Sequence, residues 1–402
     1  MVKALLVENI HPVGVDILQR AGFEVQTYAA ALDEDELTQA VQGCDLLGIR
    51  SKTQVTKHVL AAAPNLLAIG AYCIGTNQIA LQAASRQGVA VFNAPYSNTR
   101  SVVELAVAEI IALTRRLTDR DRSLHSGVWR KSAAGSHEVR GRTLGIVGYG
   151  SIGAQLSVLA EALGMTVVFY DIDEKLSLGN ARRVDTLEDL LAAADVVSVH
   201  VDGRAANTDL FGTTEFAAMR PGAIFINLSR GHVVDIEALR DAIAGGHLGG
   251  AAVDVFPTEP KANGDPFASE LRGLPNVILT PHVGGSTEEA QESIGRFVST
   301  KLRDYLLTGA SLMSVNLPRL ALEAAPGGKG DHRVAHIHRN VPGVLASINQ
   351  ALAGRGVNIV GQVLGTLGEL GYVLTDVGSP ADAAGLEYLA GLPETIRLRV
   401  LY

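Results

Sequence analysis

One stretch limits this 402-residue chain more than any other: Gly148-Tyr149-Gly150-Ser151-Ile152-Gly153. An apolar run, Leu144–Val147, leads into it, and an apolar-periodic segment, Ala154–Leu163, leaves it. A glycine-rich turn between a strand and a helix has a mechanical meaning. Gly148 permits the tight turn, Gly150 lets main-chain N–H groups approach a pyrophosphate, and Gly153 lets the helix close on the strand. The helix start then offers unpaired amides and a partial positive charge to phosphate. The next strand, 166–170, ends at Asp171, where an acid is expected to accept hydrogen bonds from ribose hydroxyls. A carboxylate there repels a 2′-phosphate, and no Arg follows at 172 or 173, so the expected cofactor is NAD rather than NADP.

The rest of the chain supplies the layers such a turn needs. Strands are expected at 4–7, 46–50, 67–70 and 89–93, with helices at 12–21, 33–42 and 77–87 between them. This βαβ rhythm implies a parallel sheet. Apolar spacing predicts one long helix over 101–120, followed by a polar loop to Arg140. Around the glycine turn, strands at 144–147, 166–170, 196–200, 224–228, 251–255 and 277–279 alternate with helices at 186–193, 213–218 and 235–244. Six parallel strands of this kind make a doubly wound sheet. A helix at 287–307 follows. A Pro/Gly-bearing linker over 318–330, with Gly327, Gly328 and Gly330, reads as a hinge. The tail reads strand 333–338, helix 342–353, strands 357–366 and 371–377, helix 381–391, strand 395–401, a ferredoxin-like order.

Composition narrows the function classes. Apolar content of 47% and charged content of 19% suit a soluble globular chain. A net charge of −8 argues against a nucleic-acid surface while leaving room for a local cationic pocket. Cys44 and Cys73 form no CxxC pair, so neither a metal site nor a disulfide is expected. The N-terminal apolar run is broken by Glu8 and reads as a first strand rather than a signal peptide. With no membrane-length apolar stretch, a cytoplasmic location is expected.

Oxidation of an alcohol by hydride transfer needs a base, a partner that tunes the base, and a cation for the substrate carboxylate. His282 follows a predicted strand in Leu279-Thr280-Pro281-His282-Val283-Gly284-Gly285-Ser286. Glu259 follows another, in Asp254-Val255-Phe256-Pro257-Thr258-Glu259-Pro260, and Arg230 a third, in Asn227-Leu228-Ser229-Arg230-Gly231. Singly, each is a common loop residue. Together, at strand ends of one doubly wound sheet where ligands bind, they form a catalytic set. Imidazole is the base, the carboxylate raises its pKa and fixes its orientation, and the guanidinium grips a carboxylate.

These runs resemble the D-isomer-specific 2-hydroxyacid dehydrogenases. The resemblance implies a doubly wound Rossmann cofactor domain inserted in a flavodoxin-like substrate domain, plus a C-terminal ferredoxin-like ACT domain. The expected divisions are 1–97, 98–286, 287–327 and 328–402. Arg230, Glu259 and His282 match the family's catalytic residues. Gly48–Ser51, Ile74–Asn77, Phe92–Ser101 and Trp129 extend the match to the branch that oxidises 3-phosphoglycerate and ends in an ACT domain. That branch implies substrate contacts from Arg50, Ser51 and Asn98. It also implies cofactor contacts from Ser151, Ile152, Asp171, Leu228, Ser229, Arg230, Asp254, His282, Val283, Gly284 and Gly285. Arg50, Arg100 and Lys131 are candidates for a substrate phosphate, although Lys131 reads equally as a solvated loop lysine. One departure is Val201-Asp202-Gly203-Arg204, where many members carry an apolar-Pro turn.

The tail's His336–Leu345 run and Val357-Asn358-Ile359 put polar groups where a paired ACT module binds an amino acid. The resemblance implies L-serine as effector, held by His338, Asn340 and Asn358, and a homotetramer. Reduction of 2-oxoglutarate to 2-hydroxyglutarate is an expected side activity. Alternatives are a glyoxylate or hydroxypyruvate reductase and, in another class, a non-catalytic NAD or amino-acid sensor.

Overall fold

Strands Lys3–Leu6 (β1), Glu24–Thr27 (β2), Leu46–Ile49 (β3), Ala68–Ala71 (β4) and Ala90–Phe92 (β5) form a parallel sheet in the order β2-β1-β3-β4-β5. This is the flavodoxin-like order. The computed structural model describes residues 1–260, 264–323, 332–378 and 383–401. It divides into two units, Met1–Ser97 with Gln291–Tyr402, and Asn98–Ala290. The expected hinge glycines 327, 328 and 330 lie outside the described residues.

Within the first unit, residues 291–308 of the helix Glu288–Thr308 pack on this sheet. Gly70 makes this possible: a Cβ there would stand 2.7 Å from Val298 and 2.8 Å from Leu302. Tyr72 and Ser299 share a hydrogen bond of 2.6 Å across the same contact.

The second unit is built on Thr143–Val147 (β6), Thr166–Tyr170 (β7), Arg182–Arg183 (β8), Val196–Val199 (β9), Ile224–Asn227 (β10), Gly250–Val253 (β11) and Val277–Leu279 (β12). All are parallel, in the order β12-β11-β10-β9-β6-β7-β8. The sheet thus has seven strands, not six, because two residues at 182–183 add a short edge. Its core strands are buried on both faces. Phe211, Phe216 and Phe225 meet beneath it with ring centroids 4.9 to 5.9 Å apart. Each such fully buried ring contributes on the order of 2–3 kcal/mol.

The expected helix over 101–120 is two helices, Thr99–Thr114 and Leu117–His125. Arg116 takes a left-handed conformation (φ 51°) and turns the chain between them. Polar β2 and the five-residue helix Lys57–Ala61 also appear where no element was expected.

The C-terminal segment has strands His332–Arg339 (β13), Ile359–Leu367 (β14), Leu370–Val377 (β15) and Thr395–Val400 (β16), antiparallel in the order β14-β15-β13-β16. Helices Val344–Ala353 and Ala383–Ala390 complete the expected βαββαβ pattern. Arg333 and Asp376, both nearly inaccessible, form an ion pair of 2.6 Å within it. No helix among the described residues is long and apolar enough to cross a membrane.

Candidate active site

Strand register sets the site. Val147 pairs with Val199, Val199 with Asn227, Asn227 with Val253, and Val253 with Leu279, so five strands finish in one row. The next residues, Gly148, His200, Leu228, Asp254 and Thr280, all leave the sheet at its carboxyl edge, where open α/β sheets bind ligands.

At the β6 end of that row the glycine turn has the geometry its sequence requires. Gly148 has φ +93°, and a Cβ on it would stand 2.6 Å from the His200 carbonyl oxygen. A Cβ on Gly153 would stand 2.4 Å from the Gly148 oxygen, so the helix Ser151–Ala162 seats directly on the turn. Gly150 is different: a Cβ there would meet nothing within 4 Å, and no side chain caps the helix that follows. The turn therefore presents an open cradle rimmed by helix-start amides. Asp171, at the end of β7, accepts from Tyr149 N at 2.7 Å and Asp173 N at 2.9 Å. Open cradle, free amides and neighbouring acid fit NAD: Gly150, Ser151 and Ile152 for the pyrophosphate, Asp171 for the ribose. The unusual Val201–Arg204 turn closes on itself, with Arg204 on both oxygens of Asp202 at 2.6 to 3.0 Å.

The strand ends beyond β9 carry Arg230, Glu259 and His282, and each sits on a fixed turn. Asn227 is buried. Its Oδ1 accepts from Ser229 N and Oγ, and its Nδ2 donates to the Arg230 carbonyl. This clasps Leu228-Ser229-Arg230. Gly231 then passes so close to the next loop that a Cβ would stand 2.0 Å from the Phe256 carbonyl carbon. That approach brings the Arg230 turn against the loop bearing Glu259. The expected cofactor contact Asp254 is buried and faces the protein. One oxygen accepts from Thr280 Oγ1 and Val283 N, the other from Gly284 N. It thereby ties down the turn on which His282 holds a left-handed φ of 55°. Asn227 and Gly231 stood in the sequence only as motif letters. The register of β10 against its neighbours, which no single strand reveals, gives them their work.

His282 Nδ1 lies 3.0 and 3.1 Å from the two oxygens of Glu259. This hydrogen bond, with the carboxylate's charge, raises the imidazole pKa against the opposing effects of burial and Arg230. Burial acts to raise the Glu259 pKa, but the His282 contacts, the Phe256 N–H and the Arg230 charge outweigh it and hold the carboxyl below its ordinary value. Glu259 thus stays ionised beside an imidazole inclined to take a proton, whose Nε2 is left for a reacting hydroxyl.

Of the other predicted residues, Asn98 opens the helix Thr99–Thr114 and packs its amide against Gly285, where a Cβ would stand 2.0 Å from Asn98 Nδ2. Arg50 and Ser51 belong to the first unit, after β3. Arg100 is paired with Glu104 at 2.6 Å, and Lys131 is exposed on its loop. In the C-terminal segment the predicted trio does not meet. His338 and Asn340 lie at the Leu370 end of β15, while Asn358 lies at the Val377 end. These ends, Leu370 and Val377, are seven residues apart along β15, roughly 23 Å.

A family model described as the NAD binding domain of D-isomer specific 2-hydroxyacid dehydrogenase matches residues 107–284, and one described as an AHAS small subunit-like ACT domain matches 334–397. The D-3-phosphoglycerate dehydrogenase of Escherichia coli strain K12 is 49% identical, with 100% of this chain and 98% of that protein covered. That of Dictyostelium discoideum is 46% identical over 100% and 97%. Among solved structures, the TT0316 protein from Thermus thermophilus is 30% identical with a TM-score of 0.68, covering 75% of this chain and 95% of that one.

Proposed function

The chain belongs to the D-isomer specific 2-hydroxyacid dehydrogenase family, and on that footing we propose that it oxidises 3-phosphoglycerate to 3-phosphohydroxypyruvate, the step that opens L-serine synthesis. The observation that carries the chemistry is the His282–Glu259 contact at the carboxyl edge of a sheet whose glycine turn fits NAD. Full-length relatives named for D-3-phosphoglycerate support the choice of acid.

His282 Nε2 takes the C2 hydroxyl proton as the C2 hydride departs, and the imidazolium so formed is stabilised by Glu259. Bound NAD supplies the acceptor for that hydride. Arg230 holds the substrate carboxylate beside the forming carbonyl, with the planar donor fork that such a group needs. Asn98, against the His282 turn, and Arg50 with Ser51 contact the rest of the substrate. In the reverse direction the imidazolium returns its proton, which gives the same residues a reductase activity on 2-oxoglutarate.

The ACT module is the effector site in this reading, and L-serine the effector. Because His338 and Asn340 lie at the opposite sheet end from Asn358, the effector site is shared by two chains, with one module's Asn358 completing the other's His338 and Asn340. This favours a homo-oligomer, and we assign a cytoplasmic homotetramer. The test is NADH formation with 3-phosphoglycerate, glyoxylate, hydroxypyruvate and 2-oxoglutarate compared in their respective directions, with and without L-serine. Strongest turnover of 3-phosphoglycerate, inhibited by serine, is expected. Turnover of another acid with none of 3-phosphoglycerate would overturn the assignment. His282→Ala should abolish turnover while NADH still binds.

A further inference from the structure

The first sheet has a switch point of its own. In the order β2-β1-β3-β4-β5 the chain moves outward from β1 to one side and from β3 to the other, so a crevice opens between the carboxyl ends of β1 and β3. Glu8 comes shortly after β1, and Arg50–Thr53 follow β3 directly.

Glu8 is unusual on three counts. It is a non-glycine residue with φ 68°, it is only 8% exposed, and its carboxylate is turned toward main chain. Oε1 accepts from Arg50 N at 3.0 Å and Thr53 N at 2.9 Å, while Oε2 accepts from Lys52 N at 3.1 Å. From elsewhere in the same unit, Gln78 Nε2 donates to the Arg50 carbonyl at 2.7 Å. The Ser51 amide, in the middle of this loop, is taken by neither, and Ser51 is exposed.

We propose that Glu8 is a positioning residue for the substrate. By gathering the amides on both sides of Ser51, it preforms the loop so that the Ser51 N–H and hydroxyl, beside the Arg50 guanidinium, make a donor set for an anionic group of the substrate. The inference rests on the reading that the Arg50–Ser51 loop meets 3-phosphoglycerate. An acid is needed because three N–H donors converge on one group, and an amide side chain would turn an NH2 toward one of them. The negative charge does not repel the incoming anion, because those three N–H groups absorb it behind the loop.

The test is steady-state kinetics of the full chain with 3-phosphoglycerate and NAD. Glu8→Gln is expected to raise KM for 3-phosphoglycerate on the order of tenfold, as loss of one charge-assisted bond predicts. The KM for NAD and kcat should stay within about twofold, since uniform binding is what is lost. Gln78→Leu loosens the same loop without touching a charge and should raise the same KM, which keeps the idea testable if Glu8→Gln folds poorly. Arg50→Met should also raise that KM, and the Glu8→Gln/Arg50→Met pair should combine less than multiplicatively because both act through one loop. If Arg50→Met raises KM while Glu8→Gln and Gln78→Leu only lower the melting temperature, Glu8 is structural and the inference falls. If Arg50→Met itself leaves KM unchanged, the reading of the loop as a substrate site falls instead.

Discussion

The His282–Glu259 pair makes a prediction whose size follows from its geometry. In Glu259→Gln the side chain keeps its shape and one acceptor oxygen but loses its charge. At the observed 3.0 Å, a full charge pair is worth about 1.4 kcal/mol at the dielectric of water and about 5.5 kcal/mol at an effective value of ~20. The two side chains are 50% and 37% exposed, so the lower half of that range applies, roughly 1.5–3 kcal/mol. That interaction exists fully only when His282 is protonated, which is its state once it has taken the substrate's proton. The loss therefore falls on the transition state, and kcat/KM for oxidation should drop about ten- to a hundredfold with NADH affinity unchanged. The pH dependence gives an independent check. Oxidation requires neutral His282, so kcat/KM rises as pH climbs through its pKa, and reduction shows the opposite limb. Glu259 holds that pKa above 6.5, so Glu259→Gln should move the midpoint to lower pH in both directions. Initial rates of NADH formation and consumption across the neutral range measure both effects. A midpoint that stays in place, with kcat/KM changed less than about threefold, would refute Glu259 as the residue that tunes the base.

Two glycines of the cofactor turn should fail in different ways. Gly150→Ala adds a Cβ that meets no protein atom within 4 Å, so melting should be unchanged while NADH binds at least about tenfold more weakly in a fluorescence titration. Gly153→Ala puts a Cβ 2.4 Å from the Gly148 oxygen and should lower stability by about 1–3 kcal/mol in urea unfolding, through strain between helix and turn. Glu109, buried on the helix Thr99–Thr114, has its carboxyl pushed up from 4.5 to about 8 by desolvation and by Asp254. The unfolded chain releases that proton first, so stability falls as pH rises between those values. Glu109→Gln should gain on the wild type by up to a few kcal/mol across that window and no further above pH 8, read from urea midpoints.

Where pattern and structure agree, the pattern was strongly periodic or mechanically constrained. β7 begins and ends at the residues expected, because the β-formers Thr-Val-Val-Phe-Tyr, with Val167–Phe169 buried, stand between Gly164 and Asp171. The glycine turn was legible because each glycine has a separate steric duty. Misses have physical causes. β2 is a polar edge strand, Glu-Val-Gln-Thr, held by pairing to β1 rather than by an apolar face. The break at Arg116 carries no Gly or Pro; its left-handed turn is flanked by distant partners, His137 N on the Thr114 carbonyl and Asn276 on the Leu113 carbonyl and Asp119, which no local pattern announces. For Asn358 the topology itself held the answer. Two strands joined by a crossover helix run the same way, so the residue before β14 lies at the end where β13 starts, far from Asn340 where β13 finishes. Glu8 read only as the acid that ends an apolar run, since nothing local to it announces three main-chain partners 42 to 45 residues away.

The loops that carry function share one construction, and its reason is the parallel sheet. A strand that ends at the carboxyl edge leaves main-chain groups without sheet partners, and a loop that must meet a ligand cannot satisfy them by becoming helix or strand. In each case a buried side chain near a strand end provides the missing partner. Asn227 faces two donors and a carbonyl, so an amide, which both accepts and donates, suits it. Asp254 and Glu8 each face three donors and no carbonyl, and only a carboxylate can accept from all of them. The choice between acid and amide at these positions is therefore set by the count of donors around it, not by the charge of the ligand. It follows that an acid can stand behind a loop that handles an anionic substrate without opposing it. It also follows that Asp254→Asn, although nearly isosteric, should destabilise the His282 turn by about 1–3 kcal/mol, because its new NH2 must face an N–H that the carboxylate had accepted.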